Sequence, residues 1–321
     1  MPLRETLSQS TRSRVYRRDF LKTAATVAFP VWGSSRLLSA QQPAVAYRRL
    51  TDSLAVLDLG ESNVLCSSVD PQGLVLVDTG ARTSVSQLTA AIQTFGKDAK
   101  AQTVFNTHYH VDQTGNNETV GAAGARIIAH EHTRQWMSTD YWVPADNRYE
   151  KARAKAAWPT DTFRITGSLK AGTEQIDYGH LPLAHTDGDI YIFFREANVL
   201  AVGDVASPLR DPALDFFTGA WIGGRVDAMD EILRISNEQT RIVPGAGLPM
   251  TRAEFKAERD MMEEVRSRVW ARVLKGDSPR DMVEGGVLNG MPRAWKDPYK
   301  FLYDAAQGMF AHHNKLDPAV I

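Results

Sequence analysis

His108 and His110 stand two residues apart in Asn106-Thr107-His108-Tyr109-His110-Val111-Asp112-Gln113, directly after an apolar stretch. Alternate residues of an extended chain project to the same side, so the two imidazoles can chelate one ion. Imidazole nitrogen is the usual donor for zinc. His185, in His185-Thr186-Asp187-Gly188-Asp189, adds a third imidazole in a turn, and Asp204 follows Gly203 at the end of another apolar run. A three-histidine zinc site with an open position lowers the pKa of a bound water to about 7. The hydroxide so formed attacks a polarised carbonyl or phosphoryl centre. Asp112, beside the ligands, is placed to orient that water or to take its proton. Two of the histidines with Asp204 also make the donor set of a mononuclear iron(II) oxygenase, so Fe2+ is the alternative metal.

The expected elements put these residues at strand ends, where layered α/β folds place their sites. Strands are expected over 54–59, 64–69 and 73–80; the last is a continuous apolar run, as suits a strand buried on both faces. Val85, Leu88, Ile92 and Phe95 recur at helical spacing and Gly96 closes that helix. Thr103–Thr107 is the strand that delivers the histidine pair. A short helix over 118–124 and a strand over 126–129 follow. Residues 132–163 carry Trp136, Tyr141, Trp142, Tyr149, Trp158 and Phe163 without a clean period and are expected to make a helical excursion that partly covers a pocket. Strands resume at 190–194 and 198–202. A loop rich in Phe and Gly, 215–225, leads to a helix over 227–238 and a last strand at 241–243. Thr251 and Glu254 form a capping box for a long helix stopped by Gly276. Strands alternating with helices indicate layered α/β architecture.

Taken together, these segments resemble the metallo-β-lactamase superfamily over residues 45–275. The resemblance rests on Val77-Asp78-Thr79-Gly80, the His108 segment, His185-Thr186-Asp187-Gly188, Gly203-Asp204 and Pro244-Gly245-Ala246-Gly247. It implies an αββα sandwich, two mixed β-sheets flanked by helices, with the site between the sheets. The expected organisation is a domain over 41–275 and a helical extension over 276–321 packed on it. The resemblance assigns His108, His110 and His185 to one metal position. A second position would take Asp112, a histidine at 113 and a histidine at 246, with Asp204 bridging. Here Gln113 and Ala246 stand at those places. The oxygen ligands left behind suit zinc poorly. One tightly bound metal, zinc, is therefore expected, with a second weak or absent. Expected ligands are His108, His110, His185 and Asp204, and Asp112 is the expected catalytic residue.

Residues 1–40 stand apart. Arg17-Arg18-Asp19-Phe20-Leu21-Lys22 precedes a short, mildly apolar run and Leu38-Ser39-Ala40. This pattern is that of a twin-arginine export signal, and implies the export machinery as a partner and a periplasmic location. The run is too short to make a stable membrane span. Removing its seven basic and two acidic residues leaves 30 Lys/Arg against 36 Asp/Glu. An acidic chain without a basic stripe is not a nucleic-acid binder. Cys66 is the only cysteine, so no intrachain disulfide forms, and it is expected to be a buried core residue. The remaining histidines (130, 132, 180, 312 and 313) lie outside the motif.

Three functions fit these observations. The first is a periplasmic metal-dependent hydrolase of a small-molecule ester, lactone, β-lactam or thioester. The second is a mononuclear non-haem iron oxygenase. The third is a non-catalytic, metal-stabilised binding protein. Aromatic residues in 136–163, with Phe216, Phe217 and Trp221, point to an apolar substrate body. No Gly-x-Ser-x-Gly elbow or Gly-Lys phosphate loop is present.

Overall fold

Alternation along the strands sorts the side chains into layers. A computed structural model describes residues 46–309 and 312, apart from 69, 71–72 and 144–146; the export-signal reading of 1–40 lies outside these residues. The elements in order are β1 (Ala46–Arg49), β2 (Leu54–Asp58), β3 (Asn63–Ser67), β4 (Leu74–Val77), α1 (Val85–Gln93), β5 (Ala101–Phe105), α2 (Val111–Thr114), α3 (Asn117–Ala122), β6 (Arg126–His130), α4 (Glu131–Ser138), β7 (Tyr141–Val143), β8 (Arg148–Glu150) and β9 (Asp161–Phe163). There follow β10 (Thr166–Ala171), β11 (Glu174–His180), β12 (Ile190–Phe194), β13 (Val199–Gly203), α5 (Ile222–Ile235), β14 (Arg241–Pro244), β15 (Met250–Thr251), α6 (Arg252–Val273), α7 (Pro279–Glu284) and α8 (Pro298–Gln307).

The first sheet has the order β1-β2-β3-β4-β5-β6-β9 and the second β10-β11-β12-β13-β14-β15. Val56, Leu65, Val75, Val77 and Phe105 of the first meet Ile176, Ile190, Ile192, Phe194, Val199 and Ala201 of the second in a shared core. Their neighbours in sequence, Leu57, Val64, Cys66, Leu74, Leu76 and Val104, turn outward onto Leu88 and Ile92 of α1 and Val120 of α3. The outer face of the second sheet is covered by α5, α6, α7 and α8 through Met229, Phe255, Val265, Met282 and Phe301. The result is helix, sheet, sheet, helix. Each apolar strand is buried on both faces because each sheet packs on both sides. Cys66 is fully buried, and burial pushes its thiol up to about 12.

Most strands pair antiparallel, but β4, β5, β6 and β9 run parallel in the first sheet, as do β13 and β14 in the second. The loops that follow β4, β5, β13 and β14 carry Asp78, His108 with His110, Asp204, and Gly245. Asn63 ties the two sheets together: its side-chain amide donates to the carbonyls of Pro244 and Gly247, at 2.9 and 2.8 Å.

Three segments differ from expectation. Residues 132–163 hold about two turns of regular helix beyond Glu131 and a short 3-10 turn at Lys155–Ala157; the other regular elements are the β7–β8 hairpin and edge strand β9. Aromatic side chains without period suit a short hairpin as well as a loop, and tertiary contacts chose the hairpin. The β10–β11 hairpin alternates more and less buried residues and contains no continuous apolar run that would mark it as strand. Helix α5 starts at Ile222, ahead of the expected 227, because Gly223 and Gly224 are helical here. A Cβ at Gly224 would meet the Leu183 carbonyl, so the glycine serves close packing. The capping box of α6 is present, and α7 has another from Ser278 and Asp281. Among the described residues no helix is long and apolar enough to cross a membrane.

Candidate metal centre

The strand-end loops bring His108, His110 and His185 together. One ligand atom from each lies within 4.8 Å of the others. The ring centroids are 4.6 to 4.9 Å apart, with planes steeply inclined. His108 and His185 are fully buried and His110 is partly exposed.

Each ring is held by its other nitrogen. The Thr107 hydroxyl donates to Asp78 Oδ2 at 2.8 Å and so accepts from His108 Nδ1 at 3.1 Å. His108 Nε2 is thereby left bare, buried and without a hydrogen-bond partner. His185 Nδ1 donates to the Ala213 carbonyl at 2.9 Å, leaving the Nε2 lone pair free. His110 Nε2 donates to Asp215 Oδ2 at 3.2 Å, which turns Nδ1 inward, 2.9 Å from His185 Nε2. Three bare nitrogens converge with no donor among them. Only a cation satisfies that arrangement: a proton shared by two rings, or a metal ion. These outer partners are the usual devices that set tautomer and ring orientation in metal sites. The residues present therefore fit a metal bound by His108, His110 and His185.

The supports are strained or packed in ways the sequence needs. Asp78 sits in the left-handed region (φ 63°), held there by its bonds to the Thr107 amide and hydroxyl. Gly203 (φ 54°) lies against Thr107; a Cβ there would be 2.6 Å from Thr107 Oγ1. Asp189 closes the His185 turn, its carboxylate accepting from the amides of His185 and Thr186 and from the Thr186 hydroxyl. Arg225, fully buried, donates to the same Ala213 carbonyl that His185 uses, and to Ser207 Oγ.

Electrostatics agree with a neutral His108. Burial holds His108 well below the ordinary histidine range, helped by the charges of His185 and His110. A neutral imidazole is the form that binds metal. Burial pushes Asp215 up, but its hydrogen bond and charge pairing with His110, and the Tyr109 hydroxyl donating at 2.5 Å, outweigh this and hold it below its ordinary value.

The expected second position is filled differently. Asp112 Oδ2 accepts from Arg210 Nη1 at 3.2 Å. Asp204 Oδ1 accepts from the Gln113 amide at 3.2 Å, and the same amide donates to the Gly245 carbonyl at 3.1 Å. Asp204 Oδ2 stands 3.9 Å from His185 Nε2. A Cβ at Gly245 would overlap Asp204. Ala246 is buried and supplies no donor. Asp112 is thus ion-paired and Asp204 hydrogen-bonded by the protein's own donors, and the remaining groups do not fit a second metal.

Asp215 is the site residue that sequence reasoning missed. It lay in a stretch notable for Phe and Gly, and no spacing tied it to His110, 105 positions earlier. The other histidines lie apart. The rings of His130 and His180 stack at 3.8 Å with His132 edge-on, and His132 Nδ1 pairs with Asp187 at 3.2 Å. His312 stacks on Trp221 at 4.4 Å, and that tryptophan does not line the cavities beside His110; His313 lies outside the described residues. Trp136, Tyr141 and Phe217 do line the cavity next to His110. Phe163 packs against the sheet core and Trp158 donates to the Arg153 carbonyl.

The chain is similar in structure to the metallo-beta-lactamase from Pontibacter korlensis (TM-score 0.54, 18% identity, covering 68% of this chain and 99% of that one). It is similar also to the DIM-1 metallo-beta-lactamase (0.54, 18%, 69% and 98%) and to VMB-1 (0.53, 16%, 68% and 96%). At these identities the likeness speaks to the fold. A search of curated protein sequences gave no match. The sequence profile of the Metallo-beta-lactamase superfamily matches residues 59–256, more than half of the chain and all of the loops described above. With the αββα layers and the strand-end histidines in place, this chain belongs to the metallo-beta-lactamase superfamily.

Proposed function

We propose that this protein is an exported, mononuclear zinc hydrolase acting on a small molecule with an ester, lactone, β-lactam or thioester bond. The observation that carries the reading is the convergence of three bare imidazole nitrogens, each locked by an outer partner, at the floor of an open cleft. Three neutral nitrogen donors suit zinc, and when bound such an ion supplies Lewis acidity and a hydroxide nucleophile near neutral pH.

The chain's own residues do the rest. The Asp78–Thr107 pair fixes the His108 tautomer. Asp215 orients His110 and, through Tyr109, the cleft wall. Asp112 lies beside the ligands in sequence and Arg210 holds its carboxylate in place, so it serves as a proton acceptor and orienting group without a second ion. The oxygenase reading is less favoured because Asp204, the carboxylate it needs, is engaged by Gln113. A periplasmic location, reached by the twin-arginine machinery, belongs to the same proposal and rests on residues 1–40.

Elemental analysis of protein purified without added metal tests the core of it. About one zinc per chain is expected, falling to none in His108→Ala and His185→Ala, together with chelator-sensitive hydrolysis in a panel of esters, lactones, thioesters and β-lactams. Two tightly held ions per chain, or one iron with oxygen uptake, would refute it.

A further inference from the structure

Two cavities open on either side of His110 and share Val143, Asp215 and Phe217 with it. One, of about 350 Å³, is bounded by the β7–β8 hairpin. The other, of about 970 Å³, is bounded by α8. They differ sharply in chemistry.

The smaller arm is basic. Arg148 pairs with Glu150, Lys151 pairs with Asp140 at 3.0 Å, and Asp215 is engaged by His110 and Tyr109. That leaves Arg82 and Arg153. Arg153 donates only to neutral acceptors, Thr114 Oγ1 and the Tyr109 carbonyl. Arg82 has no carboxylate partner among the described residues, is exposed, and lies close enough to Arg153 to depress its pKa. Burial, with Arg82 alongside, brings Arg153 down to about 10. Asp112 acts on Arg153 only at a distance and neither guanidinium makes an ion pair with a carboxylate among the described residues, so the two neighbours on the wall of a cleft are complementary to an oxyanion.

The larger arm is aromatic. Phe216, Phe217, Tyr299 and Tyr303 are all partly exposed there, at 38 to 49%, an unusual concentration of large apolar surface. Its charged members, Lys300 and Asp304, neutralise each other at 2.8 Å. Tyr299 and Tyr303 come from α8, beyond the stretch that matches the superfamily profile.

We infer that the cleft binds amphipathic oxyanions, with the anionic group on Arg82 and Arg153, an aromatic or acyl body against Phe216, Phe217, Tyr299 and Tyr303, and the bond to be cleaved between them at His110. This assigns a substrate class to the hydrolase reading and rests on it. The test measures binding alone, so a failure of turnover and a failure of this assignment are distinguishable.

Calorimetry with four probes separates the two arms: 4-phenylbutyrate, its neutral amide, butyrate, and 3-phenylpropyl phosphate. For the full chain, metal-loaded and chelated, the carboxylate and the phosphate are each expected to bind about tenfold or more tightly than the amide. Arg82→Ala, at an exposed position, removes that preference. The double variant Tyr299→Ala/Tyr303→Ala weakens 4-phenylbutyrate but not butyrate. Equal affinity for acid and amide in the wild type overturns the inference, as does a preference that survives Arg82→Ala. A preference that disappears on chelation alone would put the anion on the metal and also overturn it. The assignment holds if binding behaves as expected even in a protein that hydrolyses nothing.

Discussion

Among the three imidazoles, His110 depends most on a neighbour remote in sequence. His108 is oriented by the residue next to it and His185 by a carbonyl of a packed loop, whereas His110 takes its tautomer from Asp215. Asp215→Asn keeps the shape but offers His110 Nε2 an ambiguous partner. Loss of an outer partner of this kind costs about 10- to 100-fold in metal affinity. A competition titration against a chromophoric chelator should show that loss with an unchanged circular dichroism spectrum; unaltered affinity would remove Asp215 from the ligand-orienting set. Arg210 makes a second residue-scale case. Its guanidinium sits on Asp112 where the family's second ion would draw on that carboxylate. Arg210→Ala is expected to lower kcat with little effect on the tightly bound zinc, because the Asp112 carboxylate loses the group that holds it in place. Steady-state kinetics with zinc quantified on the same preparation checks this, and an unchanged kcat would remove the pair from the catalytic machinery.

At the scale of elements, the C-terminal segment behaves as part of the domain's second helical layer. Met282 of α7 and Phe301, Leu302 and Ala305 of α8 are fully buried in one cluster with α5 and α6. The same segment grips the loop that carries Ala213 and Asp215. Arg293 donates to the Ser207 carbonyl, and the Asp211 carboxylate accepts from the amides of Lys296 and Asp297 at the start of α8. Burial and site geometry are therefore coupled through this loop. Phe301→Ala should cost about 3–5 kcal/mol, the usual range for a large aromatic removed from a core. It should also weaken metal binding, because the loop that orients His185 and His110 loses its support. Urea denaturation and a zinc titration on the same preparation would separate the two effects; full stability would contradict the packing described here.

For the whole molecule, acid should be destabilising even without metal. His130 is buried against His180 and His132, and burial with those neighbouring charges lowers it to about 4. An unfolded histidine titrates near 6.5. The folded value is the lower one, so the unfolded state binds the proton first as pH falls. The associated stability is complete above about 6.5 and is lost progressively as pH falls towards 4. At pH 5 that loss is about 2 kcal/mol from His130 alone. His180, also held down by burial, adds to it in the same direction. Chelated protein should therefore melt several degrees lower at pH 5 than at pH 7.5. His130→Gln should flatten the dependence, and an unchanged slope would place the acid sensitivity elsewhere.

Much of this protein was legible before any fold was seen. The apolar runs at 54–59, 73–80, 190–194 and 198–202 announce strands, the one at 73–80 a strand buried on both faces, and β2, β4, β12 and β13 occupy them. The three histidines stand at strand ends because short motifs such as His-x-His carry their own geometry. The substitutions Gln113 and Ala246 could be read as losses from the residue types alone. What replaced the lost ligands could not. Arg210 lies 98 positions from Asp112 and Asp215 lies 105 from His110, and no periodicity connects such pairs. The same holds for α8, whose tyrosines reach the cleft only because its apolar face packs on α6. Local sequence sets propensity, burial pattern and the chelating motif. Which distant charge ends up against which ligand depends on how two sheets and their helices pack, and that is a property of the tertiary structure alone.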